Sequence, residues 1–273
     1  MSSQDAGNHP WTGCETQLVV LCFERSSHGG VFLRFYLDCA KPKAILAAAE
    51  IPCIAGVVTS NSILIRDGVR TAKEVFETVL KTGRKDWKFW FELPRMKAPE
   101  LAKEAEMWAE RLKVATGSEF AGPTLVHRIH PTPEMLFGAS MILHDGREVN
   151  ISAITDLVSG MAVTSLPQLQ ESTPARITQG PPASRTPYAP DSVACHIGGM
   201  DDDGRDGIQT VVALARLYHN NQLRTRVLAT GIRTPEKLQG LMEAVSNQTV
   251  PIAVDIAVPE DLIDLLRWGK PSP

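Results

Sequence analysis

Residues 124–144 read TLVHRIHPTPEMLFGASMILH, and the stretch divides at its prolines. Thr124–Ile129 is an apolar-rich run of strand length. Thr132-Pro133-Glu134 then places a capping hydroxyl before a proline at the first helical position. Pro133–Leu143 follows with helical character. A strand feeding a capped helix is one βα unit, and the same order recurs on both sides of it. Candidate strands are Val31–Asp38, Cys53–Val58, Trp87–Glu92, Glu148–Ser152, Ser192–Ile197, Thr225–Thr230 and Val250–Val254. Between them lie helix-like segments at Lys43–Glu50, Thr71–Leu80, Pro99–Leu112, Ile154–Ser165, Gly207–Asn220 and Pro235–Ala244, the last opened by a second cap, Thr234-Pro235-Glu236. Strands alternating with helices predict a parallel sheet covered by helices. Eight units predict closure into a single (β/α)8 TIM barrel, because eight strands leave an interior that side chains fill. An open doubly wound sheet is the alternative.

The chain is long enough for this. It has 273 residues, 43% of them hydrophobic, which suits one barrel of roughly 250 residues. A net charge of −3, with Lys and Arg scattered, argues against nucleic acid and anionic membranes as partners. Five cysteines (Cys14, Cys22, Cys39, Cys53, Cys195) without C-x-x-C spacing predict reduced thiols rather than a disulfide framework or a zinc site. The first eleven residues carry Asp5 and no apolar core of a signal peptide, and the run Leu18–Phe23 is too short to span a bilayer. A cytoplasmic protein is the expectation.

Two stretches stand outside the alternation. Residues 1–30 read as an N-terminal extension with an extra strand at Gln17–Glu24, before a barrel over 31–273. Residues 167–190, PQLQESTPARITQGPPASRTPYAP, are rich in Pro, Ser, Thr and Gln, a composition that predicts a mobile insertion, either a substrate lid or a segment without function.

No Walker loop, G-x-G-x-x-G, H-E-x-x-H or G-x-S-x-G is present. What stands out is a set of strand ends. Tyr36-Leu37-Asp38, then the run from Ile54 to Leu64 (IAGVVTSNSIL), then Gly207-Ile208-Gln209-Thr210-Val211, then Val227-Leu228-Ala229 with Arg233-Thr234-Pro235, occur in that order. Together they resemble the transaldolases and fructose-6-phosphate aldolases over roughly residues 31–265. The resemblance implies a class I aldolase barrel whose mouth holds a Schiff-base lysine on the fourth strand. It implies acid/base groups at Asp38 and Glu92, an asparagine and hydroxyl pair at Asn150 and Ser152, and His196 where the small aldolases have a proton-moving tyrosine. It also carries the expectation of a homo-oligomer.

Against the family pattern, the lysine position in Leu125-Val126-His127-Arg128-Ile129-His130-Pro131-Thr132 is Arg128. Arginine, with a pKa above about 12, does not supply the neutral amine that attacks a carbonyl. The second-loop asparagine position is Ser60, after Thr59, with Asn61 one place on. Two phosphate positions fall at Gly199 and Gly231, whose amides remain able to hold an anion.

Strand alternation puts Val126, Arg128 and His130 on one face and His127 and Ile129 on the other; Ala194 and His196 share a face in the same way. The expected chemistry is therefore acid/base catalysis on a small-molecule carbonyl substrate, without a cofactor, suited to specialised biosynthesis or carbohydrate metabolism. Arg128 holds a carboxylate or a developing enolate. Glu92 and His196 exchange protons, and Asp38 and Asn150 orient them. Ser152, Thr59, Ser60, Asn61, His130 and Gly231 complete the substrate-binding set. Suitable reactions are aldol or retro-aldol steps, dehydration, isomerisation and cyclisation. Three other readings stand beside it: a catalytically silent barrel acting as a binding or scaffold protein, imine chemistry recruited to Lys41 or Lys97, and a divalent ion among Asp38, Glu92, His130 and His196. Asp201-Asp202-Asp203 reads as a solvated turn more readily than as a cation loop.

Overall fold

The apolar runs pair in sequence order. The computed structural model describes residues 32–118, 121–166 and 189–266. Its strands are β1 (Phe32–Asp38), β2 (Ile54–Val58), β3 (Lys88–Glu92), β4 (Thr124–Ile129), β5 (Glu148–Ile154), β6 (Ser192–His196), β7 (Arg226–Thr230) and β8 (Ala253–Pro259). All eight are parallel, and β1 pairs with β8 from Phe32 opposite Ala253 to Asp38 opposite Pro259. That last pairing closes the barrel and removes the open-sheet alternative. The extension 1–30, most of the insertion (167–188), Cys14, Cys22 and the end of the chain from 267 lie outside the described residues.

The helices are α1 (Pro42–Ala48), α2 (Asn61–Asp67), α3 (Ala72–Lys81), α4 (Ala98–Thr116), α5 (Pro133–His144), α6 (Leu157–Ala162), α7 (Ile197–Asp202), α8 (Gly207–Asn220) and α9 (Pro235–Ser246). A 3-10 helix at Glu260–Leu266 follows β8. Both expected threonine caps form: Thr132 accepts from the Met135 N–H at 3.4 Å and Thr234 from the Lys237 N–H at 3.3 Å.

One strand is displaced from its expected place. Val250–Val254 marks only the approach to β8, since Pro251 has no N–H to give to a ladder, and pairing begins at Ala253. The Ile154–Ser165 helix is also shorter than expected, because Ile154 still belongs to β5 and Asp156 caps α6.

Period-two alternation sorts the strand side chains into two cores. Outward residues such as Phe89, Phe91 and Ile129 pack under the helices, with Phe91 tilted against Trp108 at a ring separation of 4.3 Å. His127 also points outward, edge-on to Phe91. Inward residues Tyr36, Val58, Trp90, Val126, Ala194, Leu228 and Ala257 fill the barrel. Below them the N-terminal end is sealed by two inward ion pairs, Lys88 with Glu148 and Arg226 with Asp255 at 2.6 Å. The interior is thus a packed plug, with charged groups at its two ends and Asn150 bonded to Ser192 within it.

Gly56 fixes the β2–β3 contact. Its φ is +148°, and a Cβ there would stand 2.0 Å from the Lys88 carbonyl oxygen. No other residue fits.

Among the described residues, Cys39 and Cys195 are free thiols, and no helix is long and apolar enough to cross a membrane. The acidic run is neutralised locally. Asp201 meets Lys237 at 2.9 Å, Asp202 meets Arg233 at 2.7 Å and Asp203 meets Arg205 at 2.6 Å.

Candidate active site

The C-terminal strand ends open into a cavity of about 960 Å³. Asp38 from β1, Glu92 from β3, Arg128 from β4, Ser152 from β5 and His196 from β6 all line it, each at the last inward position of its strand. His130 and Gly231 join from the loops after β4 and β7. This is the face on which barrel enzymes carry their sites.

Arg128 forms the floor and is 8% exposed. Its Nη1 donates to the Thr59 carbonyl at 3.2 Å, and its Nε is buried without a partner. Burial lowers its pKa from the usual arginine value, with the charges of Asp38 and Glu92 acting in the opposite sense. Asp38 faces it, 9% exposed, with Oδ1 also unpartnered. Burial raises the Asp38 pKa, and Arg128, Arg66 and His196 oppose that shift. Desolvation therefore dominates both groups, and neither neutralises the other by direct contact.

Glu92 has defined partners. Its Oε1 stands 2.6 Å from His130 Nε2, and its Oε2 accepts the Asn61 backbone N–H at 3.2 Å. The pairing follows from the sheet: Glu92 sits opposite Arg128 in the β3–β4 register, and His130 lies two residues further along β4's inward face.

His196 is exposed and caps α7, its Nδ1 accepting the Gly199 N–H at 2.7 Å. An Nδ1 that accepts carries no proton, so the neutral ring bears its proton on Nε2. Three glycines make room for this placement. A Cβ at 231 would stand 2.5 Å from Nε2, and one at 199 would stand 2.8 Å from Nδ1. A Cβ at 198 would stand 2.7 Å from the Gly231 carbonyl, which already accepts the Gly198 N–H. The imidazole therefore lies against bare backbone, with Nε2 on the Gly231 side.

The remaining expected residues divide. Ser152 lines the cavity and donates to the Ile129 carbonyl at 3.2 Å, while Ser60 caps α2 at its rim. Asn150 does not reach the cavity. It is fully buried one layer down, donates to Ser192 at 3.0 Å and leaves Oδ1 unpartnered. Position 150 lies two residues below Ser152 on the same face, which puts it inside the plug. Thr59 contributes its carbonyl to Arg128 but buries its hydroxyl, and Asn61 contributes its backbone N–H to Glu92. Neither is among the residues lining the cavity. Glu92 and His196, expected to exchange protons, are each engaged elsewhere, with His130 and Gly199.

Lys41 reaches the cavity rim, where its ammonium binds Glu260 at 2.7 Å. Its pKa is raised by that hydrogen bond and charge, opposite to what a nucleophilic amine needs. Lys97 is exposed and does not line the cavity, and Lys88 is at the sealed end.

Arg66 and Arg233 are cavity residues the motifs did not single out as ligands. Arg66 holds Asp67 at 2.7 Å and the Asp38 carbonyl at 3.0 Å, whereas Arg233 grips Asp202 with two bonds. A basic residue in the first turns after a strand is the only sequence signal either offers. Ala153 also faces the cavity, at φ +59°, where β5 bulges between Ile151 and Ile154. A non-glycine residue in that conformation is strained and tends to occur at functional sites. Among the described residues no group of three or more His, Cys, Asp or Glu side chains is placed to hold a metal ion.

The arrangement thus offers a carboxylate paired to an imidazole, a neutral N–H donor on a second imidazole and a buried guanidinium, all facing one cavity. It defines the chain as a (β/α)8 barrel with ionisable groups gathered in the cavity at its C-terminal strand ends. No family model matches the chain. Curated relatives do. A probable transaldolase of Clostridium botulinum (strain Hall) is 23% identical over 227 residues, covering 82% of this chain and 88% of that one. A probable transaldolase of Desulforamulus reducens is 26% identical over 246 residues, covering 87% and 98%. One from Lactiplantibacillus plantarum is 23% identical over 228 residues, covering 81% and 87%. The chain is transaldolase-like.

Proposed function

We propose that the chain is an enzyme that moves protons on a carbonyl compound without forming an imine. The observation that carries this reading is the Glu92–His130 pair at 2.6 Å, facing the cavity that also receives His196 and Arg128. The lysine amine that reaches the cavity rim is tied up as an ammonium by Glu260.

Glu92 acts as the base and His130 holds its reactive oxygen in place. When Glu92 takes a proton from the carbon beside the carbonyl, the electron pair moves onto the carbonyl oxygen. The Nε2–H of His196 donates to that oxygen and Arg128 supplies positive charge beneath it. Collapse of the enolate with return of the proton to carbon gives isomerisation. Collapse with loss of a β-hydroxyl, protonated by Glu92, gives dehydration. In retro-aldol cleavage Glu92 takes the β-hydroxyl proton and the carbon–carbon bond supplies the enolate electrons; an intramolecular aldol is the reverse and forms a ring. Arginine at the lysine position and glycine at the two phosphate positions support a role in specialised biosynthesis rather than sugar-phosphate interconversion.

The test combines trapping with turnover. Wild type is incubated with ketones, aldehydes and sugar phosphates, borohydride is added, and the intact mass is read. No adduct, together with turnover of a carbonyl compound that Glu92→Gln abolishes in a folded protein, supports the reading. A lysine adduct, or turnover indifferent to Glu92→Gln, defeats it. A folded wild type with no turnover across the panel favours a binding or scaffold role.

A further inference from the structure

The cations around the cavity differ in one respect that bears on what it holds. Lys41, Arg66 and Arg233 each have a carboxylate within 2.7 Å, from Glu260, Asp67 and Asp202. Arg128 has no ion-pair partner among the described residues, and its one hydrogen bond goes to a carbonyl, that of Thr59. Positive charge without a carboxylate in contact is therefore concentrated at one point on the cavity floor.

Burying a guanidinium in this state is unfavourable unless something compensates it. Asp38 is the nearest internal candidate by charge, yet it makes no ion pair with Arg128 and leaves Oδ1 unpartnered. Two of the amides beside the phosphate positions are committed. The Gly199 amide is bonded to His196 and the Gly198 amide to the Gly231 carbonyl. Arg233, beside them, is neutralised by Asp202. The floor next to Arg128 is small, with Ala194 and Ser152 facing the cavity.

From this geometry, and resting on the carbonyl chemistry proposed above, we infer that the substrate is a carboxylic acid rather than a sugar phosphate. Its carboxylate docks on Arg128 beside Asp38, and its carbonyl lies higher, between His196 and Glu92. One guanidinium with no carboxylate in contact matches a monoanionic carboxylate in charge. A phosphate dianion calls for more positive charge than one guanidinium without a carboxylate in contact supplies. The carboxylate at the base orients the reacting carbon towards the Glu92–His130 pair, so one fixed charge serves recognition and positioning together.

The experiment measures binding, independently of turnover. A series of 2-oxo acids, from pyruvate through 4-methyl-2-oxopentanoate to phenylpyruvate, is titrated into wild type by calorimetry. The corresponding 2-oxo amides, inorganic phosphate and fructose 6-phosphate are run beside them. At least one acid is expected to bind at least tenfold more tightly than its own amide. Arg128→Met, which removes a buried charge and keeps the volume apolar, is expected to erase that difference, and Arg128→Lys to restore part of it. Glu92→Gln should keep the preference for acid over amide, because it leaves the anion site intact. Equal binding of acid and amide, no saturable binding of any acid in the series, or tighter binding of fructose 6-phosphate through Arg128 would each overturn the inference. If the acid preference holds and no carbonyl compound is turned over, the carboxylate site stands and the catalytic reading fails. If neutral carbonyl compounds are turned over and the acid preference is absent, the reverse is true.

Discussion

Glu92 and His130 meet at 2.6 Å across two adjacent strands, one at the end of β3 and the other just beyond β4, while a backbone N–H from Asn61 holds the second carboxylate oxygen. A carboxylate gripped on both oxygens is fixed in orientation, which is what a base needs to meet one particular proton. Replacing it by an amide keeps the shape and removes the proton acceptor. Glu92→Gln is therefore expected to lower kcat by about 10²–10⁴, with the urea midpoint little changed. His130→Asn removes one charge-assisted bond, worth about 1.5–3 kcal/mol, so kcat should fall by roughly 10- to 100-fold. Because both changes act on one proton transfer, the double variant should be little worse than Glu92→Gln alone. Steady-state kinetics on the four proteins reads this directly, and additive losses would show that the two residues work separately.

His196 depends on bare backbone beneath it, so Gly231 is expected to matter more for activity than for stability. Gly231 sits at φ +70°, and an added Cβ would fall 2.5 Å from Nε2. The ring must move, and a misplacement of about 1 Å at a reacting group costs on the order of 10²-fold in rate. Gly117, at φ +81° beyond α4, has open space around its would-be Cβ. Both alanine variants pay a similar backbone strain of about 1 kcal/mol. Gly231→Ala should lose activity as well, whereas Gly117→Ala should not. Equal activity in the two variants would remove His196 from the site.

These contrasts mark what the sequence made legible. Strand β4 lies on Thr124–Ile129 as read, because its apolar run is bounded by Pro123 and by a capped helix start. Inward placement of Arg128 and outward placement of His127 follow from alternation alone. Depth was not legible. Asn150 and Ser152 share a face, yet only the upper one meets the cavity, and strand tilt around the barrel decides which. The Glu92–His130 pair was half legible: each residue was singled out, but their meeting depends on the register between β3 and β4, which one chain's pattern does not specify. Helices α2 and α7 were missed because they are short, seven and six residues, and α7 is capped by a histidine instead of a usual capping residue.

His127 supplies a prediction about acid stability. It is buried, its Nδ1–H donates to the Glu148 carbonyl at 3.1 Å, and its Nε2 has no partner. Burial lowers its pKa to about 4. The folded protein thus keeps the ring neutral where the unfolded chain, titrating near the usual 6.5, takes up a proton. More protons on the unfolded side make stability rise with pH through that window. Stability should be unaffected by this group above about pH 7 and should fall from there to about pH 4, by a total of about 3 kcal/mol. His127→Gln, which does not titrate, should lack this component of the slope. Urea unfolding of both proteins at pH 7, 5.5 and 4.5 measures it, and parallel pH profiles would mean that His127 is charged in the fold.

At the opposite end of the barrel, Arg226 and Asp255 close the bottom of the plug. Asp255 is almost wholly buried and receives Nε at 2.9 Å and Nη2 at 2.6 Å. Two desolvated charges gain little net stability from each other, but losing one strands the other. Asp255→Ala should therefore destabilise the barrel by about 3–5 kcal/mol, since the guanidinium keeps its desolvation and loses its main acceptor. The double change Arg226→Met with Asp255→Leu restores an apolar fill of similar volume. It should recover most of that loss, even though it removes more hydrogen bonds than the single change does. Denaturation midpoints for Arg226→Met, Asp255→Leu, the double variant and wild type close the cycle, with Asp255→Ala measured beside them. If the double variant is as unstable as Asp255→Ala, the pair contributes net stability and the bottom layer is more than a neutral seal. Because the pair lies below Tyr36 and Trp90, away from the cavity, binding of a 2-oxo acid by the folded double variant should match wild type. A loss of binding there would mean that the plug transmits strain to Arg128.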